Sequence, residues 1–232
     1  MEQAKKLIVN TESTNLLKEL TSSLETCERF YFSVAFMNFS GIQLLLDALK
    51  EAKDRKVKGK VITSTYLNFT DPKALEKIRE FQNLNLKVFV TNKSIGFHTK
   101  AYIFEYKDYY KVIIGSSNIT QTALKSNVEW NVELISKQED LFMKSVIAEF
   151  QSLWERSTLA DDAFIHDYRE FFTNINKMAA NEYLIYEKAE YITPNKMQER
   201  AIENLERLRE SGEKEGAGYS CYRNWENIYV GI

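Results

Sequence analysis

Apolar residues at positions 16, 17, 20 and 24 of "TNLLKELTSSLETC" recur at helical spacing behind a Ser/Thr-rich start, which predicts a leading helix. "RFYFSVAF" follows as a short run of aromatic and β-branched residues, the pattern of a buried strand. Ser40 is then expected to cap a helix over "GIQLLLDALKEAKD". "KGKVITS" reads as a second strand, "DPKALEKIREFQN" as a helix with Pro72 in its first turn, and "LKVFVT" as a third strand. Strands alternating with helices predict βαβ units and a parallel sheet covered by helices.

The period changes after residue 96. "HTKAYIFEY" and "YKVIIGSS" flank a short polar turn at Lys107-Asp108, the pattern of an antiparallel hairpin. "TQTALK" is a helical turn, "VEWNVELI" another strand, and residues 138–156 an amphipathic helix. A mixed α/β domain is therefore expected over residues 1–157, followed by a charged helical extension over 158–216. The tail, 217–232, shows no periodicity.

Hydrophobic residues make up 44% of the chain, enough to build a core and to exclude disorder as the main state. No apolar run approaches the ~20 residues needed to span a membrane, and "MEQAKKLIVNTES" lacks a signal-peptide core, so the chain is read as cytoplasmic. Cys27 and Cys221 are too few and too far apart for a disulfide framework or metal cluster, and are taken as free thiols. The net charge of −2 conceals a local excess. Between Leu86 and Lys125 six lysines stand against Glu105 and Asp108, which leaves the rest of the chain acidic.

That basic window contains "GFHTKAYIFEYKDYYKVIIGSSNIT". Strand alternation puts His98, Lys100 and Tyr102 on one face and Thr99, Ala101, Ile103 and Glu105 on the other. An imidazole beside an ammonium suits attack on a phosphodiester, the ring as nucleophile and the cation on the non-bridging oxygens. Ser116 and Asn118 add uncharged donors for the same phosphate, and Glu129 is the candidate to hold the second ring nitrogen. A lone histidine in a strand is most often structural, and Gly-Ser-Ser-Asn alone is most often a turn. Their order, and their place in the basic window, make the combination far more specific than its parts.

"HTKAYIFE", "GSSN" and Glu129, eleven residues past Asn118, resemble the phospholipase D superfamily signature. The resemblance implies a phospholipase D-like α/β fold, a mixed sheet flanked by helices. It also implies that His98 forms a phosphohistidine, that Lys100, Ser116 and Asn118 bind the phosphate, and that Glu129 orients His98. Glu105 stands where the superfamily usually has aspartate; strand parity turns it away from His98, so the change is expected to affect packing or a local ion pair. Such enzymes use a second histidine to protonate the leaving group. Here there is one motif, and His166 lies in a charged helical segment with no lysine two residues on, as a surface histidine would. Single-motif members, small bacterial nucleases, dimerise to pair two copies of the motif, and the same isologous homodimer is expected here. No metal or other cofactor is implied.

"YITPNKMQERAIENLERLRES" resembles the entry to a superfamily 2 helicase, with Tyr191 and a proline ahead of the adenine-reading Gln198. Residues 1–212 look similar to the N-terminal region of bacterial helicases that carry a phospholipase D-like domain. The phosphate loop that should follow is missing, so no ATP binding is expected. Shifted by one base, degenerate codons for "AGYSCYRNWENIY" permit such a loop, and the Trp225 codon with the glutamate codon after it forces one of its glycines. The sequence thus reads as a metal-independent phosphodiesterase acting on DNA, the front of a longer helicase- or restriction-type protein. The alternative is a catalytically weak DNA-binding module; phospholipase chemistry ranks third. Sequencing the coding DNA checks the tail: removal of one base near codon 217 is expected to open a continuing helicase frame, and a stop codon there rejects the idea.

Overall fold

Asn15 turns its side-chain oxygen onto the Lys18 amide and so begins α1 (Leu16–Thr26), whose Leu16, Leu20 and Leu24 are fully buried. The computed structural model describes residues 4–92, 95–188 and 196–210. Next come β2 (Arg29–Val34), α2 (Phe39–Gln43), α3 (Leu46–Asp54), β3 (Lys58–Ser64), α4 (Pro72–Arg79) and β4 (Leu84–Phe89), with β1 (Ala4–Ile8) preceding α1. β5 (Lys100–Glu105) and β6 (Tyr109–Gly115) form the hairpin, followed by α5 (Gln121–Lys125), β7 (Asn131–Lys137), α6 (Leu141–Glu155), β8 (Thr158–Leu159), α7 (Asp162–Lys188) and α8 (Lys196–Glu210). None of these helices is long and apolar enough to cross a membrane.

All eight strands share one sheet in the order β1-β7-β6-β5-β2-β3-β4-β8. β2, β3 and β4 are parallel, as the βαβ pattern requires, while β5 runs antiparallel to β2 and leads an antiparallel β5-β6-β7 meander. The seam between the two halves is the β2/β5 pair, where Val34 meets Lys100. Alternation divides the strands as expected: Phe30, Phe32, Tyr102 and Phe104 pack with α1, α3 and α4 on one face. Tyr31, Ile103 and Val112 pack with Phe150 and Leu153 of α6 on the other. The sheet is thus mixed and flanked by helices on both faces, a phospholipase D-like α/β fold.

The structure departs from the sequence expectation in four places. Asn38, not Ser40, caps the helix after β2; its side-chain oxygen accepts from the Gly41 amide, and Ser40 sits inside α2 donating to that same oxygen at 3.0 Å. The expected single helix breaks at Leu44-Leu45 into α2 and α3. β1 and β8 carry no strand pattern of their own. β1 is an exposed edge whose two lysines suit an unpaired rim, and it exists because β7 offers it backbone partners from Ala4 to Ile8. The compact unit runs past residue 157 to Phe172, because β8 pairs with β4 and Ile165 and Tyr168 are buried in the core. A second unit, Thr173–Ile232, contains the end of α7 and all of α8. Gln198 lies on α8, whereas Tyr191 and the 217–232 tail fall outside the described residues. Cys27 is a free buried thiol, pushed up to about 11 by burial, and Cys221 is outside the described residues.

A charged cluster fastens α1 to the meander. Lys111 on β6 lies 2.9 Å from the Glu133 carboxylate on β7 and 3.7 Å from Glu19 on α1, donates to the Ser23 hydroxyl at 3.1 Å, and Lys6 on β1 pairs with Glu19. The Lys111–Glu133 approach is an ion pair rather than an aligned hydrogen bond, and Glu133 Oε2 takes no hydrogen bond. Burial alone would raise the Glu19 carboxyl, but the hydrogen bond and charge of Lys6 and the charge of Lys111 outweigh it and hold the group below its usual 4.5. A depressed carboxyl stabilises the fold above its unfolded pKa and ceases to do so as pH falls through the folded one, so this contribution is present at neutral pH and lost in acid. Lys111→Met strands the Glu133 carboxylate, while Glu19 keeps Lys6, and is expected to cost about 3 kcal/mol in urea unfolding, with Lys111→Met/Glu133→Leu recovering most of it. A loss shared equally by the single and double variants contradicts the ion-pair account.

Candidate active site

His98 lies two residues ahead of β5 on an extended segment that keeps the parity of the strand. Thr99 points to the opposite face and shares a hydrogen bond with Ser33 at 2.6 Å. Lys100 is 7% exposed whereas His98 is open to solvent. The Lys100 ammonium reaches back over the ring, 2.8 Å from Nδ1, 3.1 Å from Nε2 and 3.2 Å from the His98 carbonyl. A ring nitrogen accepts from an ammonium only when it carries no proton, and neutral imidazole is the nucleophilic form. Burial lowers the Lys100 pKa, and the carboxylate of Glu129 offsets this only in part. A cation stripped of water in this way gains more from an arriving phosphate than a solvated one would.

Asn118 comes to the same place from the far end of β6. Its side-chain oxygen accepts the Phe36 amide at 3.2 Å, which leaves the NH2 as the group free to donate. The backbone is held alongside: Met37 bridges Ile119, and the Asn38 amide donates to the Ile119 carbonyl at 3.1 Å. Two glycines permit these approaches, because a Cβ on Gly41 would overlap the Ile119 carbonyl and one on Gly115 would overlap the Trp130 carbonyl. Beneath the loop, Ser117 is sealed by Asn131, whose NH2 donates to the Ser117 hydroxyl at 2.9 Å. The fully buried Tyr102 donates to the Ser117 carbonyl at 2.9 Å.

Glu129 stands two residues before β7, not within it, and accepts the Ser116 hydroxyl. Among the described residues no hydrogen bond joins Glu129 to His98; both ring nitrogens face Lys100. Ser116 is likewise turned to Glu129 and to the Trp130 amide, at 3.2 Å from the latter. The structure therefore joins His98 to Lys100 and Ser116 to Glu129 as two pairs, with Asn118 oriented separately by Phe36. Glu105 faces away from this site as parity requires, accepting from Tyr31 at 2.6 Å and pairing with Arg29 at 3.2 Å. His166, on α7, is exposed and 3.6 Å from Glu170.

The model of the PLD-like domain described for cardiolipin synthases matches residues 16–154, more than half of the chain and every site residue named above. This chain belongs to the PLD-like family. Membership places it in the phospholipase D superfamily. Among solved structures, the phospholipase D family member Nuc from Salmonella typhimurium is 17% identical at a TM-score of 0.55, covering 69% of this chain and 100% of its own. NucT from Helicobacter pylori is 16% identical at 0.54, covering 68% of this chain and 99% of its own. Phosphatidylserine synthase from Haemophilus influenzae Rd KW20 is 10% identical at 0.51, covering 78% of this chain and 47% of its own. At these identities the likeness is one of fold. No curated protein sequence matches the chain.

Sequence reasoning did not reach the supports of this PLD-like site: Phe36, whose backbone amide orients Asn118, Tyr102 and Asn131 under the loop, and Tyr66, whose ring meets His98 edge-on at 5.7 Å. None of the four left a signal in the sequence, since β7 mixes Asn131 with Glu133, Ser136 and Lys137. Burial lowers the Lys100 pKa, and the Glu129 charge acts in the opposite, smaller sense. In an NMR titration of the Lys100 ε-carbon, the wild-type midpoint is expected below 10.5, and Glu129→Gln is expected to move it lower still. An unmoved or raised midpoint in the variant overturns that assignment.

Proposed function

We propose that this protein cleaves phosphodiester bonds of DNA through a phosphohistidine on His98. The supporting observation is the Lys100 ammonium set within hydrogen-bond reach of both ring nitrogens of an exposed histidine. An arriving phosphate takes over the ammonium, which releases the ring. One His98 nitrogen then forms a bond to phosphorus as the bond to the leaving oxygen breaks. Lys100 and the Asn118 NH2 hold the non-bridging oxygens, and Glu129 contributes through the charge it sustains on Lys100 and through Ser116.

The leaving oxygen needs a proton, and His98 of a second copy, in its protonated imidazolium form, supplies it across a two-fold axis and becomes neutral. That imidazole then accepts a proton from the water that hydrolyses the phosphohistidine, returning both rings to their starting states. Each site therefore needs two copies of the chain. DNA is preferred to lipid because the site lies in a basic stretch of a chain whose net charge is −2, which suits a run of backbone phosphates. The helicase-like segment around Gln198 supports a place at the front of a DNA-translocating protein.

One observation favours a second reading, a DNA-binding module with weak catalysis: among the described residues no carboxylate bonds to His98 to stabilise its positive charge. A single assay separates the two. With single- and double-stranded DNA in EDTA, cleavage is expected in wild type and is expected to fall more than ~10²-fold in His98→Ala, with a dimer by light scattering. Trapping of the cleaved strand on His98 by a rapid alkaline denaturing quench, in which the phosphorus–nitrogen bond survives, is expected in wild type alone. Salt-sensitive binding by both proteins, with cleavage by neither, establishes the module instead.

A further inference from the structure

The rim of the site carries aromatic side chains that neither the core nor the proposed chemistry uses. Phe69 is 54% exposed and Trp130 68%. Both are tied to the phosphate-binding groups through short physical links on different elements. The Phe69 ring meets Phe36 edge-on at 5.3 Å, and Phe36 is the residue whose amide orients Asn118. Trp130 exchanges two backbone hydrogen bonds with Ser116, one to its hydroxyl at 3.2 Å and one from its amide at 3.1 Å.

The turn that presents Phe69 is held rigid. Leu67 and Asn68 both adopt left-handed backbone, with φ of 51° and 56°, which ordinary residues rarely do unless their surroundings impose it. The Tyr66 amide donates to the Ser64 hydroxyl at 3.1 Å, the Thr70 hydroxyl donates to the Ser64 carbonyl at 2.7 Å, and Tyr168 holds the Thr70 carbonyl at 2.9 Å. Within the turn, the Tyr66 ring leans on Gly96 and reaches His98. The strain thus fixes one aromatic against the nucleophile and projects a second beside it.

We propose that Phe69 and Trp130 are stacking platforms for the nucleobases flanking the scissile phosphate, so that the substrate is single-stranded or locally unpaired nucleic acid. The inference rests on the nuclease reading and names its substrate class. Any base offers a π face to an exposed aromatic ring, which gives affinity without sequence preference. In a duplex those faces are buried against neighbouring base pairs, so the platforms reward only an unstacked strand. Aromatics linked through different elements to Asn118 and to Ser116 fit a chain that carries a base next to every phosphate. A second copy of the protein is the other candidate for these rings, and the experiment is chosen to detect it.

The full-length chain is tested as wild type, Phe69→Ala, Trp130→Ala and Trp130→Phe. The probes are a thymidine oligonucleotide, a deoxyribose-phosphate strand of equal length without bases, the corresponding duplex, and methyl p-nitrophenyl phosphate as a base-free diester. Each alanine variant is expected to bind the thymidine strand about tenfold more weakly by fluorescence anisotropy, with Trp130→Phe close to wild type. Binding of the baseless strand and turnover of the small diester are expected to be unchanged, so that the loss in DNA cleavage falls on KM. Equal losses on strands with and without bases, unchanged binding of the thymidine strand, or an alanine variant that becomes monomeric by light scattering overturns the proposal. Failure of wild type to turn over any diester sinks the nuclease reading alone, because the binding comparison still decides whether the rings hold bases.

Discussion

The chain leaving β2 is bound residue for residue to the chain leaving β6, and the site depends on that meeting. Phe36 donates to Asn118, Met37 bridges Ile119, and Asn38 donates to Ile119 before capping α2. Asp71, the cap of α4, draws in a third segment: its amide donates to the Met37 carbonyl at 2.9 Å and its carboxylate accepts the Phe39 amide at 3.3 Å. The cap of one helix, the cap of another and the loop that carries Asn118 thereby share one small set of hydrogen bonds. Because β5 pairs antiparallel to β2, Lys100 arrives beside Val34, two residues from Phe36. The site falls at the carboxyl ends of the parallel strands, where the sheet switches from parallel to antiparallel and departing chain ends leave room for a ligand.

Charge is distributed so that this end of the molecule is poised rather than satisfied. Lys100 is half of a cation–imidazole contact, a weaker partnership than a salt bridge, and its burial leaves the ammonium short of solvation. Glu129 is close enough to act on that charge while its oxygen is committed to Ser116. Under the proposed chemistry, a phosphate here gains an ammonium and an amide without first displacing a tightly bound carboxylate. The buried pairs elsewhere follow the opposite rule: Lys111 is closed in by Glu133, Glu19 and Ser23, an arrangement suited to holding α1 on the meander and to nothing that must exchange partners.

The rim follows from the same architecture. A tight turn after β3 and the chain entering β7 both reach past the sheet edge, and each carries an aromatic that the core leaves uncovered. Rigidity in the first comes from hydrogen bonds to Ser64 and Thr70, and in the second from the Ser116 backbone. Both aromatics are therefore positioned by residues that also serve the fold or the phosphate loop.

Local pattern decided the elements whose period is strong. The alternation of "RFYFSV", "KGKVITS" and "HTKAYIFE" assigned strands and faces correctly because side-chain parity is a property of the backbone, so the His98–Lys100 pairing and the outward turn of Glu105 were legible before any fold existed. β1 and β8 were not legible, because each owes its conformation to a partner strand and has no pattern of its own. The same reason hid the true cap: Asn38 and Ser40 are both good capping residues, and the choice between them was made by the Asn38–Ile119 bond to a loop some eighty residues on. Sequence order supplied the candidate residue types, His98, Lys100, Ser116, Asn118 and Glu129. The assignment of partners within that set, Glu129 to Ser116 and both nitrogens of His98 to Lys100, is a matter of distances between segments far apart in the chain, and only their packing against one another fixed it.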